Sequence, residues 1–143
     1  MDHLWLVYAL LSALTASLVG IFGKIGLQSV DANTATAIRS VIMAVFLLIV
    51  IACQGNLRQI PHVLTDTKAF TFIVLSGVAG ALSWLFYFLA LKYGKVTQVA
   101  PIDKLSVVMA AILAMIFLGE RVSILGGTGI TLIGIGAILV AFS

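Results

Sequence analysis

Five stretches of this chain carry no charged side chain: Leu4–Gly23, Ser40–Leu57, Ala69–Leu91, Leu105–Gly119 and Val122–Ser143. A bilayer core of about 30 Å takes roughly 20 helical residues at ~1.5 Å each, because every backbone N–H and C=O must be paired inside the segment where water is absent. The pattern predicts five transmembrane helices at about residues 4–27, 34–53, 68–91, 97–118 and 122–142, in one all-α integral membrane domain covering residues 1–143. The polar residues fall between them. Asp31 and Asn33 mark the first turn, and Gly55, Asn56, Pro61 and Asp66 give the longest connection an interfacial path. Lys92, Tyr93, Gly94 and Lys95 suit a tight reversal with Gly94 as a left-handed cap. The fourth stretch is the least regular. Pro101 lacks an N–H and clashes with the preceding turn, so this helix either starts near it or is kinked there.

A hydrophobic fraction of 62% against 9% charged residues leaves no polar face for a soluble helical assembly. The net charge of +3 is scattered rather than gathered in a basic stripe, which speaks against nucleic acid and for contact with anionic lipid headgroups. The first apolar stretch lacks a basic leader and a small-residue cleavage pattern, so it reads as a retained helix. The single Cys53, at an apolar helix end, reads as a packing side chain. His3, His62 and scattered carboxylates do not make a metal site, and no nucleophile elbow, phosphate loop or zinc motif is present. The chain reads as a non-enzyme that needs no cofactor.

With loops assigned alternately, the side of the N-terminus carries Arg58, Lys68 and Arg121. The opposite side carries Lys24, Lys92 and Lys95, with Arg39 close by. Near-equal counts remove most of the bias that fixes membrane orientation. Either the chain inserts both ways, and two opposed copies form the inverted-repeat architecture of secondary transporters, or unequal weights of individual charges fix one orientation.

Small residues mark the faces where helices approach closely in lipid. Ala13, Ala16, Ser17, Gly20 and Gly23 line one face of the first helix. In the fifth, Gly127, Thr131 and Gly134 form one row while Gly129 and Gly136 form its neighbour, suiting contact within a protomer or between protomers.

Ionisable residues in hydrocarbon are functional suspects because they are costly unless paired, hydrated or snorkelling. Asp103 and Lys104 follow Pro101, and on a continuous helix they point about 100° apart, so they are expected to face different places. Lys104 either lines a cavity, where its ammonium meets a carboxylate, phosphate or polar substrate, or snorkels as an anchor. Lys24 and Arg39 ring one mouth of a pathway or serve as interfacial anchors. Trp84, Tyr87 and Phe88 make an aromatic face in the middle of the third helix, suited to packing, to an amphipathic substrate or to a cation over a ring.

Arg39 in Thr-Ala-Ile-Arg-Ser-Val-Ile-Met-Ala, Pro101 in Val-Ala-Pro-Ile-Asp-Lys-Leu-Ser, and Phe-Leu-Gly-Glu-Arg-Val-Ser at 117–123 followed by Gly129, Ile133 and Gly136 closely resemble an EamA-type domain of the drug/metabolite transporter superfamily. The resemblance covers essentially the whole chain. It implies one five-helix half of a ten-helix fold, self-assembling as an antiparallel homodimer in a bacterial inner membrane. It also implies a small-molecule substrate among amino acids, other metabolites or toxic compounds. The small four-helix multidrug members use a glutamate of their first helix for proton coupling; the first apolar stretch here has no acidic residue, so that mechanism is not carried over, and Asp103 is a candidate to substitute as a proton site. Glu120 matches the family's Gly-Glu feature, where a role in orienting the turn with Arg121 is favoured over direct substrate binding.

The leading expectation is a small secondary transporter for a polar or amphipathic metabolite, with Lys104, Trp84, Tyr87, Asp103, Lys24 and Arg39 along the pathway. Pro101, Glu120, Gly20, Gly129 and Gly136 serve structure or gating. The competing expectation is a non-transporting membrane subunit, such as a component of a lipid-linked-sugar flippase.

Overall fold

The computed structural model describes residues 4–143, so His3 lies outside the described residues. The described chain is all-helical. The first two spans are α1 (Leu4–Gly26) and α2 (Ala32–Cys53). The long connection is itself helical: a 3₁₀ turn at Asn56–Gln59 leads into a short α3 (Ile60–Thr65), with Pro61 in its first turn, where a missing N–H costs nothing. The third span is α4 (Thr67–Tyr93). The fourth is interrupted. It comprises α5 (Val96–Asp103), α6 (Leu105–Leu113) and a π-helical turn at Ala114–Leu118. The last span is α7 (Ile124–Ala141). By length and apolarity all five can cross a bilayer, and almost no residue within any span is buried, as expected of helices whose outer faces meet lipid.

Local chemistry explains the boundaries. Asp31 is the N-cap of α2, its carboxylate accepting from the Thr34 amide at 3.0 Å. That bond, with help from the Thr34 hydroxyl and the positive Lys92 and against a desolvation cost, holds the Asp31 carboxyl below its ordinary range. Asp66 accepts from the Ala69 amide at 3.1 Å at the start of α4. Ser123 caps α7 by accepting from Gly126 at 3.0 Å, which starts that helix two residues past the expected Val122.

Hydroxyls inside the apolar spans are turned back onto their own helix. Thr15 donates to the Leu11 carbonyl at 2.9 Å, Ser17 to Leu14 at 2.7 Å, buried Thr36 to Ala32 at 2.8 Å and Thr131 to Gly127 at 2.8 Å. Small polar residues therefore thin a helix face without leaving a group unsatisfied in lipid.

Gly94 does not act as a left-handed cap. Among the described residues, positive φ occurs at Gly55 (73°) and Gly119 (66°). The end of α4 is instead closed by the Lys24 ammonium on the Gly94 carbonyl, 2.8 Å away, which leaves no need for a left-handed residue there.

Two compact units can be distinguished. One joins the first helix up to Lys24 with the chain from Tyr93 onward, and the other is Ile25–Lys92. In the first, α7 packs along α5 and α6. Close approach occurs at Gly134, where a Cβ would sit 3.3 Å from the Val108 Cγ2, while a Cβ at Gly129 or Gly136 meets nothing within 4 Å. In the second unit, Lys92 in the last turn of α4 donates to the Val30 carbonyl at 3.1 Å, tying α4 to the turn before α2.

Candidate functional site

In the unit Ile25–Lys92, the residue with the most telling surroundings is Arg39. It lies seven positions beyond Ala32, about 10 Å along α2 at ~1.5 Å per residue. Its guanidinium carbon sits 3.8 Å from the Trp84 ring centroid and 5.2 Å from that of Phe88. The rings brace one another: Trp84 meets Tyr87 edge-to-face at 5.6 Å and 84°, and Tyr87 meets Phe88 at 6.1 Å and 89°. Phe88 is buried and Leu91, one turn on, is fully buried, so the aromatic platform is anchored from beneath.

Helical spacing produces this platform. Positions 84, 87 and 88 share one face of α4, and residues three and four apart are neighbours on a helix. The opposing α2 supplies the cation. A charge inside an apolar span is costly unless it is paired, and a cation–π contact on the Trp84 ring, worth about 0.5–2 kcal/mol, offsets part of that cost. Of the readings the sequence left open for this aromatic face, packing, an amphipathic substrate or a cation over a ring, the structure shows a cation over the Trp84 ring, and it is the protein's own guanidinium. Among the described residues no carboxylate pairs with Arg39, the only ion pair there being Lys104–Asp103, and no protein acceptor takes its N–H groups.

In the other unit the fourth span breaks at Lys104. Its backbone leaves the α-pattern: the Lys104 amide donates to Pro101 and the Val107 amide to Lys104, both three residues back at 3.0 Å. Pro101 removes one donor just before this point. The ion pair corrects the expectation that Asp103 and Lys104 face different places: Lys104 Nζ lies 3.2 Å from Asp103 Oδ2, because the long lysine stem reaches back across the roughly 100–120° between adjacent positions. The pair is partly exposed, at 55% for Lys104 and 35% for Asp103, so it is a modest contact that can open to another partner. Lys104 also borders an almost wholly apolar cleft of about 500 Å³, with Ala100 and Pro101 on its own side and Ile133, Gly136 and Val140 of α7 opposite. Gly136 keeps the cleft open where a larger residue would fill it.

Lys24 bonds the Gly94 carbonyl, and Gly20 is buried one turn before it. Glu120 takes part in the turn before α7 through its backbone, which donates to the Ala114 carbonyl at 3.3 Å, and among the described residues it forms no ion pair with Arg121. Sequence patterns alone missed the Lys92–Val30 brace and the Val108 contact with Gly134. Both join residues far apart in the chain, and a lysine in the last turn of a helix was the one signal available for the brace.

No solved structure matches the chain. An uncharacterized transporter encoded in the cobO 3′ region of a Sinorhizobium species is 38% identical over 141 residues, 99% of each chain. An uncharacterized protein of Methanocaldococcus jannaschii, MJ1333.1, is 32% identical over 81 residues, 57% of this chain and 59% of its own. The EamA-like transporter family matches residues 3–142. With five apolar helices able to span a bilayer and this match along nearly its whole length, the chain is a multi-pass membrane protein that belongs to the EamA-like transporter family.

Proposed function

We propose that the protein is a secondary transporter that moves a small polar or amphipathic metabolite by alternating access, as an antiparallel homodimer of five-helix copies in a bacterial inner membrane. The observation that carries this reading is the interrupted fourth span. A helix broken within a bilayer frees backbone groups and puts them beside whatever occupies the gap, and secondary transporters place substrate and coupling ions at such discontinuities. Here the break coincides with the Pro101–Asp103–Lys104 group, and an apolar cleft lies alongside it. Lys104 contacts substrate when its bond to Asp103 opens, and Asp103 is the coupling proton's site. Lys24 and Arg39 supply positive charge to the pathway. Pro101, Gly20, Gly129, Gly136 and Glu120 give it the freedom to rock.

The near-equal division of positive charge between the two sides supports opposed insertion. Single cysteines at positions 2 and 143 in a Cys53→Ser background, labelled from outside intact cells, test it. Both sites label from outside if insertion is dual, whereas labelling of only one site shows a fixed orientation and rejects the antiparallel assembly. Transport itself is tested by solute exchange into vesicles that contain the purified chain alone. Flux that falls at least tenfold in Lys104→Ala, with the fold retained, is expected. Absence of any flux for a broad metabolite panel favours a non-transporting subunit.

A further inference from the structure

We propose that Arg39 is the receptor for an oxyanion, and that the transported solute is a small amphipathic carboxylate; this deepens, and rests on, the transporter reading above. A guanidinium has two recognition surfaces, its flat faces and its hydrogen-bonding edge. One face of Arg39 is committed to Trp84 at 3.8 Å, with Phe88 at 5.2 Å, so the position and tilt of the group are set by the rings. The edge, with five N–H donors, has no protein acceptor or carboxylate among the described residues.

Three classes of solute meet that edge differently. A cation is repelled by a fixed positive charge a few ångströms away and finds the Trp84 face already taken. A neutral polyol satisfies some donors and leaves the charge uncompensated. A carboxylate does both, accepting two parallel N–H bonds in the fork geometry that makes such pairs strong where water is scarce. The Tyr87 ring, edge-on to Trp84 at 5.6 Å, extends the apolar surface on which the body of such a solute rests. A lipid phosphate carries the same oxyanion chemistry. The side chain, however, is held against the Trp84 and Phe88 rings within the unit, which favours a solute that enters the span.

The test follows the rate at which the permeant reagent phenylglyoxal modifies Arg39 in the full chain, purified in maltoside, with Arg58 and Arg121 as internal references read by peptide mass spectrometry. Acetate, 4-methylpentanoate and phenylacetate are compared with phenylacetamide, phenethylammonium and phosphatidylglycerol. Saturating amounts of at least one carboxylate slow modification of Arg39 fivefold or more, while the amide and the ammonium leave it unchanged and Arg58 and Arg121 are unaffected. Equal protection by the amide or ammonium, protection by phosphatidylglycerol alone, no protection at all, or an Arg39 already inert without ligand each overturns the assignment. Arg39→Lys, which keeps charge but loses the fork, is expected to bind the protecting carboxylate at least tenfold more weakly, read from Trp84 emission in a Trp5→Phe background; equal affinity also overturns it. Protection without vesicle flux rejects the transporter reading and leaves the receptor intact. Flux without protection rejects the receptor alone.

Discussion

The Nζ of Lys24, in the last turn of α1, donates to the carbonyl of Gly94 just past the end of α4, at 2.8 Å and partly shielded from solvent. The last carbonyls of a helix lack intrahelical partners and carry the negative end of its dipole, so an ammonium there satisfies both needs. Lys24→Met, which keeps the stem and removes the donor, is predicted to cost about 1.5–3 kcal/mol. Lys24→Arg costs less. The midpoint of thermal unfolding in detergent, followed by circular dichroism, reads both, and an unshifted midpoint for Lys24→Met rejects the role.

The glycines of α7 divide by neighbour. Gly134→Leu drives a side chain into Val108 within the same protomer, with overpacking of about 1–3 kcal/mol, and is predicted to lower the unfolding midpoint. Gly129→Leu meets open space, so its protomer stability stays the same while cross-linked dimer in membranes declines. Equal destabilisation by the two, with no change in cross-linking, contradicts the assignment of Gly129 to a contact between copies.

Pro101→Ala restores a donor for the Thr97 carbonyl and relieves the clash that proline imposes inside α5. The prediction is a straighter fourth span, slower amide exchange over residues 102–106 and severalfold lower flux, without loss of thermal stability. Unchanged exchange together with unchanged flux removes Pro101 from any gating role.

Asp31 makes the start of α2 sensitive to acid. Its folded pKa lies below the unfolded value of about 3.9, so the cap stabilises fully above that value and is lost as pH falls through the folded one. Amide exchange at Thr34 is predicted to accelerate on acidification from pH 5 to 3 beyond its intrinsic pH dependence. Asp31→Asn, which still accepts the bond, removes that step. An Asn variant with the same acid response places its cause elsewhere.

The five spans were legible because lipid demands long uncharged runs, a signal that each segment carries by itself. Asp31 was legible as a turn residue for a similar reason, since its cap bond reaches only to Thr34. What eluded the sequence joins distant positions. Arg39 and Trp84 each stand out in an apolar run, yet nothing local states that α2 sets one upon the other. The pairing of Asp103 with Lys104 is the local exception: the 100° rule fixes where two adjacent side chains set out, not how far a long lysine stem can carry its ammonium back. Gly94 drew a left-handed reading from its neighbours, whereas a lysine from another helix had taken over the end of α4.

The π turn at Ala114–Leu118 has a consequence for how this chain tolerates change in length. Its closing amide, that of Gly119, reaches the Ala114 carbonyl five residues back, so the segment holds one residue more than an α-helix of equal rise requires. An extra residue offsets the angular phase of everything after it by about 100°. Removing one of Met115, Ile116 or Phe117 lets this turn relax to ordinary α geometry, where a deletion inside α2 or α4 would rotate an entire face away from its neighbours. The far end of the fourth span is thus the place where insertions and deletions are absorbed, a local slack in the spacing of the chain.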